Sequence, residues 1–152
     1  MLKINKKVEY ALMALKYMSD HRDLELISAR EICDSFTIPF DTTAKVMQTM
    51  NNHGILKSVK GIKGGYSLLK PLHEISYMDL VRVVEAKEDI GKTCMSKKGR
   101  CELYSKCNII SPVEQLNLKL NIYLETLSLA ELLLGTNFNA NTKELPLQEA
   151  NV

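Results

Sequence analysis

Residues 38–71, IPFDTTAKVMQTMNNHGILKSVKGIKGGYSLLKP, constrain this chain more than any other stretch. Pro39, Phe40 and Asp41 open a helix, because proline is tolerated early and Asp41 can accept from first-turn N–H groups that lack partners. From Ala44 the apolar positions Val46, Met47 and Met50 share one face, with Ile55 beyond the turn. Thr42, Thr43, Lys45, Gln48, Thr49 and Asn52 fall on the other face. Asn51-Asn52-His53-Gly54 stops the helix, with Gly54 available for the left-handed residue. Leu56, Ser58 and Lys60, then Tyr66, Leu68 and Lys70, alternate with their neighbours as strands do. Gly61, Gly64 and Gly65 lie between and let the hairpin tip approach another surface closely.

The charge on this stretch indicates what that surface is. Residues 42–70 hold five lysines and no Asp or Glu. A helix face of Thr, Lys, Gln and Asn followed by a basic, glycine-rich hairpin has the make-up of a winged helix-turn-helix. In that arrangement the second helix enters the major groove and the wing touches phosphates or the minor groove. A solvated lysine surface is the plainer reading, but helix face, turn, hairpin and missing acids agree, and agreement across levels counts for more than any one of them. The expected DNA contacts are Thr42, Thr43, Lys45, Gln48 and Thr49 on the helix, and Lys57, Ser58, Lys60, Lys63, Gly64 and Tyr66 on the wing.

The remaining segments fit around this unit. Residues 6–19 read as an amphipathic helix with Val8, Ala11, Leu12, Ala14, Leu15 and Met18 inward. Residues 24–27 suit a short extended segment, and Ser28 with Glu31 has the spacing of a capping box for a helix over 29–35. Ser76 and Asp79 repeat that pattern for a helix to about residue 86, with Leu80, Val83 and Val84 inward. Pro112 stands near the start of a long helix whose Val113, Leu116, Leu120, Tyr123 and Leu127 form a heptad-like seam. Leu118, Ile122 and Leu124 widen its apolar surface, so it needs its own domain on one flank and a second subunit on the other. Ser128 caps a last short helix that Gly135 ends, and 136–152 reads as a flexible tail.

The fold expected is therefore mainly α with a small β-hairpin. A winged helix-turn-helix DNA-binding domain (1–72) precedes a dimerisation region (73–135) that contains a cysteine loop (87–107) and the long helix. Residues 1–70 carry 11 Lys and Arg against 7 Asp and Glu, whereas 71–152 carry 9 against 11, which favours nucleic acid over a membrane as partner. No apolar run approaches the roughly 18 residues of a membrane span, and the first segment reads as a helix rather than a secretion signal. A cytoplasmic protein is expected.

Cys94, Cys101 and Cys107 are spaced C-x6-C-x5-C within the aperiodic loop. A reducing compartment argues against structural disulfides and towards metal or redox chemistry. The loop lacks the tight C-x2-C pairs common in zinc sites, whereas a longer loop can wrap an iron–sulfur cluster. Lys92, Lys97, Lys98, Arg100 and Lys106 would favour thiolates and offset a cluster's negative charge. Three unliganded thiols remain the alternative. Cys33 reads as a small core residue and His53 as a favourable group at a helix C-terminus. No glycine-rich nucleotide loop, paired carboxylates or Cys–His–Asp set supports an enzyme, although a redox enzyme using the cysteine loop is a remote alternative.

These blocks resemble the Rrf-type winged helix-turn-helix transcription regulators, a family that includes IscR-like and NsrR-like iron–sulfur regulators. The likeness runs from residue 8 to about 135 and rests on VEYALMAL, AREI, the helix-and-wing stretch with SVKGIKGGYSL, the three-cysteine loop and SLAELLLG. It implies a homodimer joined by the long helix, with each half meeting one half of a partly palindromic operator, and a repressor that senses redox state, iron–sulfur status or nitric oxide. It implies iron ligation by Cys94, Cys101 and Cys107, with a 2Fe–2S cluster favoured over a 4Fe–4S one. IscR-like members have a His three residues after the last Cys, where Ile110 stands here. NsrR-like members use a first-helix acid from the other subunit, which matches Glu9; a surface carboxylate beside Lys6 or Lys7 is its alternative role. A cluster-free regulator responding by thiol oxidation or a small ligand stays open.

Overall fold

The computed structural model describes residues 4–86, 95–96, 99–100 and 102–135. Asn5 starts helix α1 (Lys6–Asp20) by accepting from the Lys7 N–H at 3.0 Å. Val8, Ala11, Ala14, Leu15 and Met18, spaced at helical intervals, are buried on one face that packs against α3 (Phe40–Asn52) and α4 (Tyr77–Glu85). Ser28 caps α2 (Ala29–Phe36) through the Glu31 N–H. The expected return bond from Glu31 is not made: its carboxylate accepts from the Tyr17 hydroxyl at 3.2 Å, tying α2 to α1 instead.

Thr37 turns left-handed (φ 54°) to end α2, and Pro39 is the N-cap of α3. No side chain caps that first turn, so Asp41 does not fill the capping role its sequence position suggests. Gly54, at φ 71°, reverses the chain after His53. Strands β1 (Leu56–Val59) and β2 (Gly65–Leu68) then pair antiparallel, with Leu56 opposite Leu68 and Ser58 opposite Tyr66. Ile27 adds a bridge on the far side of β2, exchanging two backbone bonds with Tyr66 at 2.9 and 2.8 Å. The extended segment expected before α2 is thus realised at this residue.

A 3-10 turn (Leu72–Glu74) leads to α4, whose capping box is complete: Ser76 accepts from the Asp79 N–H and Asp79 accepts from the Ser76 N–H. Val81 is buried beside Leu80 and Val84, while Val83, expected inside, is half-buried. Two antiparallel strands of two residues each, β3 (Met95–Ser96) and β4 (Gly99–Arg100), lie in the stretch read as irregular. Helix α5 (Ile110–Thr126) follows and packs against α4. Ser128 caps α6 (Leu129–Leu134), and Gly135 ends it at φ 65°. The two cap segments are joined, with Tyr77 N–H bonding Leu127 C=O and Leu129 N–H bonding Ile75 C=O.

One core unites α1–α4, β1, the 3-10 turn and α6, with Leu15, Met47, Met50, Leu80 and Leu129 fully buried. Each such side chain contributes about 1.5–3 kcal/mol by leaving water. Helix α5 stands apart, because none of its residues is buried. The seam read from the sequence divides there: Leu127 lies past the helix end inside the core, Val113 is half-buried, and Leu116, Leu120 and Tyr123 face solvent. Leu124 reaches the core, and Arg82 of α4 bridges to Glu125. Among the described residues no helix is long and apolar enough to cross a membrane. The tail over 136–152 and most of the cysteine loop, including Cys94 and Cys101, lie outside the described residues.

Candidate nucleic-acid interface

Burial of Val46, Met47 and Met50 against the core turns the opposite side of α3 outward. Asp41, Lys45, Gln48 and Asn52, at steps of four, three and four residues, form its exposed row. Thr42 and Thr49 flank that row half-buried. Thr43 differs from the sequence reading: it is fully buried, and its hydroxyl donates to the Pro39 C=O at 2.9 Å. A threonine whose hydroxyl is satisfied by its own helix can sit among apolar groups, so Thr43 supports the turn and is not part of the exposed face.

The hairpin rises beside this row. Lys57, Ser58, Lys60 and Lys63 are exposed on it, and Ile62 stands free at the tip. Tyr66 is half-buried and packs on the core, so it anchors the hairpin's base more than it presents its ring to solvent. Gly64 is fitted closely into the tip: its N–H donates to the Gly61 C=O at 2.9 Å, and the place a Cβ would occupy lies 2.3 Å from the Val59 oxygen. Gln48, Asn51 and Asn52 of α3, Ser58, Lys60 and Gly64 of the hairpin, and Ser28 at the start of α2 line one cleft. Helix face and wing are therefore a continuous surface. The lining of the cleft contains no carboxylate.

Arg30 was not among the residues expected here. It is exposed in the first turn of α2, and its guanidinium lies 4.5 Å from the centre of the Phe40 ring at the start of α3. That cation–π contact holds a positive group at the junction of the two helix N-termini. The AREI block carries the Arg, but only the packing of α2 on α3 brings it to Phe40.

The residues considered for iron are placed as follows. Cys107 is a free, half-buried thiol, whereas Cys33 is buried in α2 as a core residue. Glu9, in the first turn of α1, pairs with Lys6 at 2.6 Å, and that hydrogen bond and charge raise the Lys6 pKa above its ordinary value. Among the described residues no group of three His, Cys, Asp or Glu side chains is gathered for a metal ion. His53 caps the end of α3, with Nδ1 2.9 Å from the Thr49 C=O, as its position suggested.

Comparison with known proteins agrees with this architecture. The sequence profile of the Rrf2 family, described as "Iron-dependent Transcriptional regulator", matches residues 4–134. An HTH-type transcriptional regulator of Aquifex aeolicus is 40% identical over 76 residues, which are 50% of this chain and 52% of that protein. The HTH-type transcriptional regulator NsrR of Bacillus licheniformis is 25% identical over 83% of this chain and 86% of its own length. The solved structure of CymR, the global cysteine regulator of B. subtilis, superposes with a TM-score of 0.68 at 22% identity, covering 90% of this chain and all of that one. With the match extending over nearly every described residue, the chain belongs to the Rrf2 family of transcriptional regulators.

Proposed function

We propose that this regulator works in the cytoplasm as a homodimeric repressor. Each subunit reads half of a partly palindromic operator with α3 and grips phosphates with its wing. The observation that carries this reading is the exposed row of α3 running into a lysine-bearing hairpin with no acid between residues 42 and 70. In this reading Lys45 and Gln48, exposed on α3, meet base edges, with Thr42 and Thr49 beside them. Lys57, Lys60 and Lys63, with Ser58, provide the sequence-independent attraction. Residues 1–72 supply this interface, and 73–135 supply the dimer, through the exposed apolar flanks of α5. Two interfaces held by one dimer match half-sites about one helical turn apart, so a small change in their spacing alters affinity greatly.

Lys60 gives a direct test. Lys60→Ala should weaken operator binding and reduce the steepness of log affinity against log salt by about 1.8, the value for one lost phosphate contact in each of the two subunits. Titrations of operator DNA at several salt concentrations measure this. An unchanged slope with lost affinity for some operators only would assign Lys60 to base reading.

For the sensor, Cys94, Cys101 and Cys107 are proposed to hold an iron–sulfur cluster, a 2Fe–2S form ahead of 4Fe–4S, with Glu9 of the partner subunit as fourth ligand. The donors suit the group: Cys107 is a free thiol, and β3 and β4 reverse the chain between Cys94 and Cys101. To ligate, Glu9 must exchange its Lys6 partner for the metal. When bound, the cluster would supply a one-electron redox centre. A metal-free response by thiol oxidation is the second reading, favoured by the half-exposed Cys107. Anaerobic purification followed by absorbance spectra and analysis of iron and acid-labile sulfide separates the two. Iron and sulfide near stoichiometry, with operator affinity that changes on cluster removal, support the cluster. Their absence, with affinity that follows thiol oxidation, supports the second reading.

A further inference from the structure

Asp41 is the one acid between residues 35 and 73, and it heads the exposed row of α3 that continues with Lys45, Gln48 and Asn52. Its sequence position suggests a cap, yet no side chain caps this helix. Its carboxylate makes no hydrogen bond or ion pair with any described residue, and Lys45, one turn away and well placed to pair with it, does not do so. An acid in a first turn favours the helix dipole. A major groove walled by phosphates, however, repels an uncompensated carboxylate. What offsets that repulsion is an amino group on a base edge, and the base whose major-groove edge offers a carboxylate a donor without a neighbouring acceptor is cytosine, through N4.

Resting on the DNA-binding reading above, we infer that Asp41 is a specificity-determining residue that selects a cytosine in each half-site by accepting its N4 hydrogen. The lysines of the wing then supply attraction that is the same for every sequence, and Asp41 subtracts from it wherever the cytosine is missing. Discrimination comes from a penalty as much as from a bond.

The test selects operators from a pool of randomised duplexes with the full-length protein and its Asp41→Asn and Asp41→Ala variants, each melted thermally beforehand. The wild type should enrich cytosine at one position per half-site. Asp41→Asn should move that preference to adenine, which Asn reads through N6 and N7. Asp41→Ala should accept all bases there, lowering discrimination by about 5- to 150-fold, while its affinity for unrelated duplexes rises. All other positions should keep their preferences. If the three proteins select identical bases, with or without a lower melting temperature in the variants, Asp41 serves the helix alone and the inference is overturned. A wild type that enriches no duplex overturns the DNA-binding reading itself, and this assignment with it.

Discussion

Replacing Leu116 and Ile122 together by Glu should leave the chain folded but monomeric, with operator affinity lowered about 100- to 10,000-fold by loss of the second half-site contact. Both side chains are 56% exposed and belong to a helix with no buried residue. Helix α5 is held to its own domain by α4, by Leu124 and by the Arg82–Glu125 bridge, none of which the substitutions touch. Leu118, Leu120 and Tyr123 lie exposed beside them, which is more apolar surface than one helix leaves in water without a partner. In the proposed dimer that surface is covered, and the variant would place four carboxylates in the apolar interface, where unpaired charge is strongly disfavoured. Sedimentation velocity gives the mass, circular dichroism the fold, and titration of an operator the affinity. A variant that stays dimeric with wild-type affinity would show that α5 does not join the subunits.

What the sequence disclosed and what it hid follow one physical distinction. Caps and turns are local, so they were legible. Ser76 with Asp79, Ser128 ahead of α6, and Gly54 and Gly135 at helix ends all act as their spacing indicates, because each partner lies within a few residues. The hairpin was legible for a similar reason, since its two strands lie close in sequence around the glycines, although they stop at Val59 and Leu68, short of Lys60 and Lys70. Glu31 was misread because its competing partner, Tyr17, comes from fourteen residues away. Thr43 was misread because periodicity counts a hydroxyl as polar, although the Pro39 carbonyl satisfies it locally. Leu127 looked like the end of a dimer seam, but α5 stops at Thr126 and the next residue turns into the core. At the interface, the lysines and the α3 row were visible as composition and period. Arg30 was not, because its link to Phe40 exists only once two helices pack.

Gly64→Ala should open the wing. The added methyl would sit 2.3 Å from the Val59 oxygen and 2.9 Å from the Gly61 oxygen, and both are backbone atoms that cannot rotate away. The conflict is steric and must be relieved by moving the tip itself. The Gly61–Gly64 bond closes the loop just beyond the last strand pair, Val59 with Gly65, so moving it displaces Lys60 and Lys63 together. Stability should fall by about 1–3 kcal/mol, as for other cases of forced overpacking. Because the tip of the wing lies outside the main core, the rest of the chain should still melt cooperatively. The larger effect is on DNA: with two phosphate contacts misplaced in each subunit, the salt slope should become shallower by about 3.6, twice the effect of Lys60→Ala. Ile62→Ala at the fully exposed tip is the control and should change neither quantity, since its side chain packs on nothing in the chain. If Gly64→Ala kept the wild-type slope while losing stability, the wing lysines would not depend on this turn for their position, and the wing's role as a fixed phosphate clamp would have to be given up.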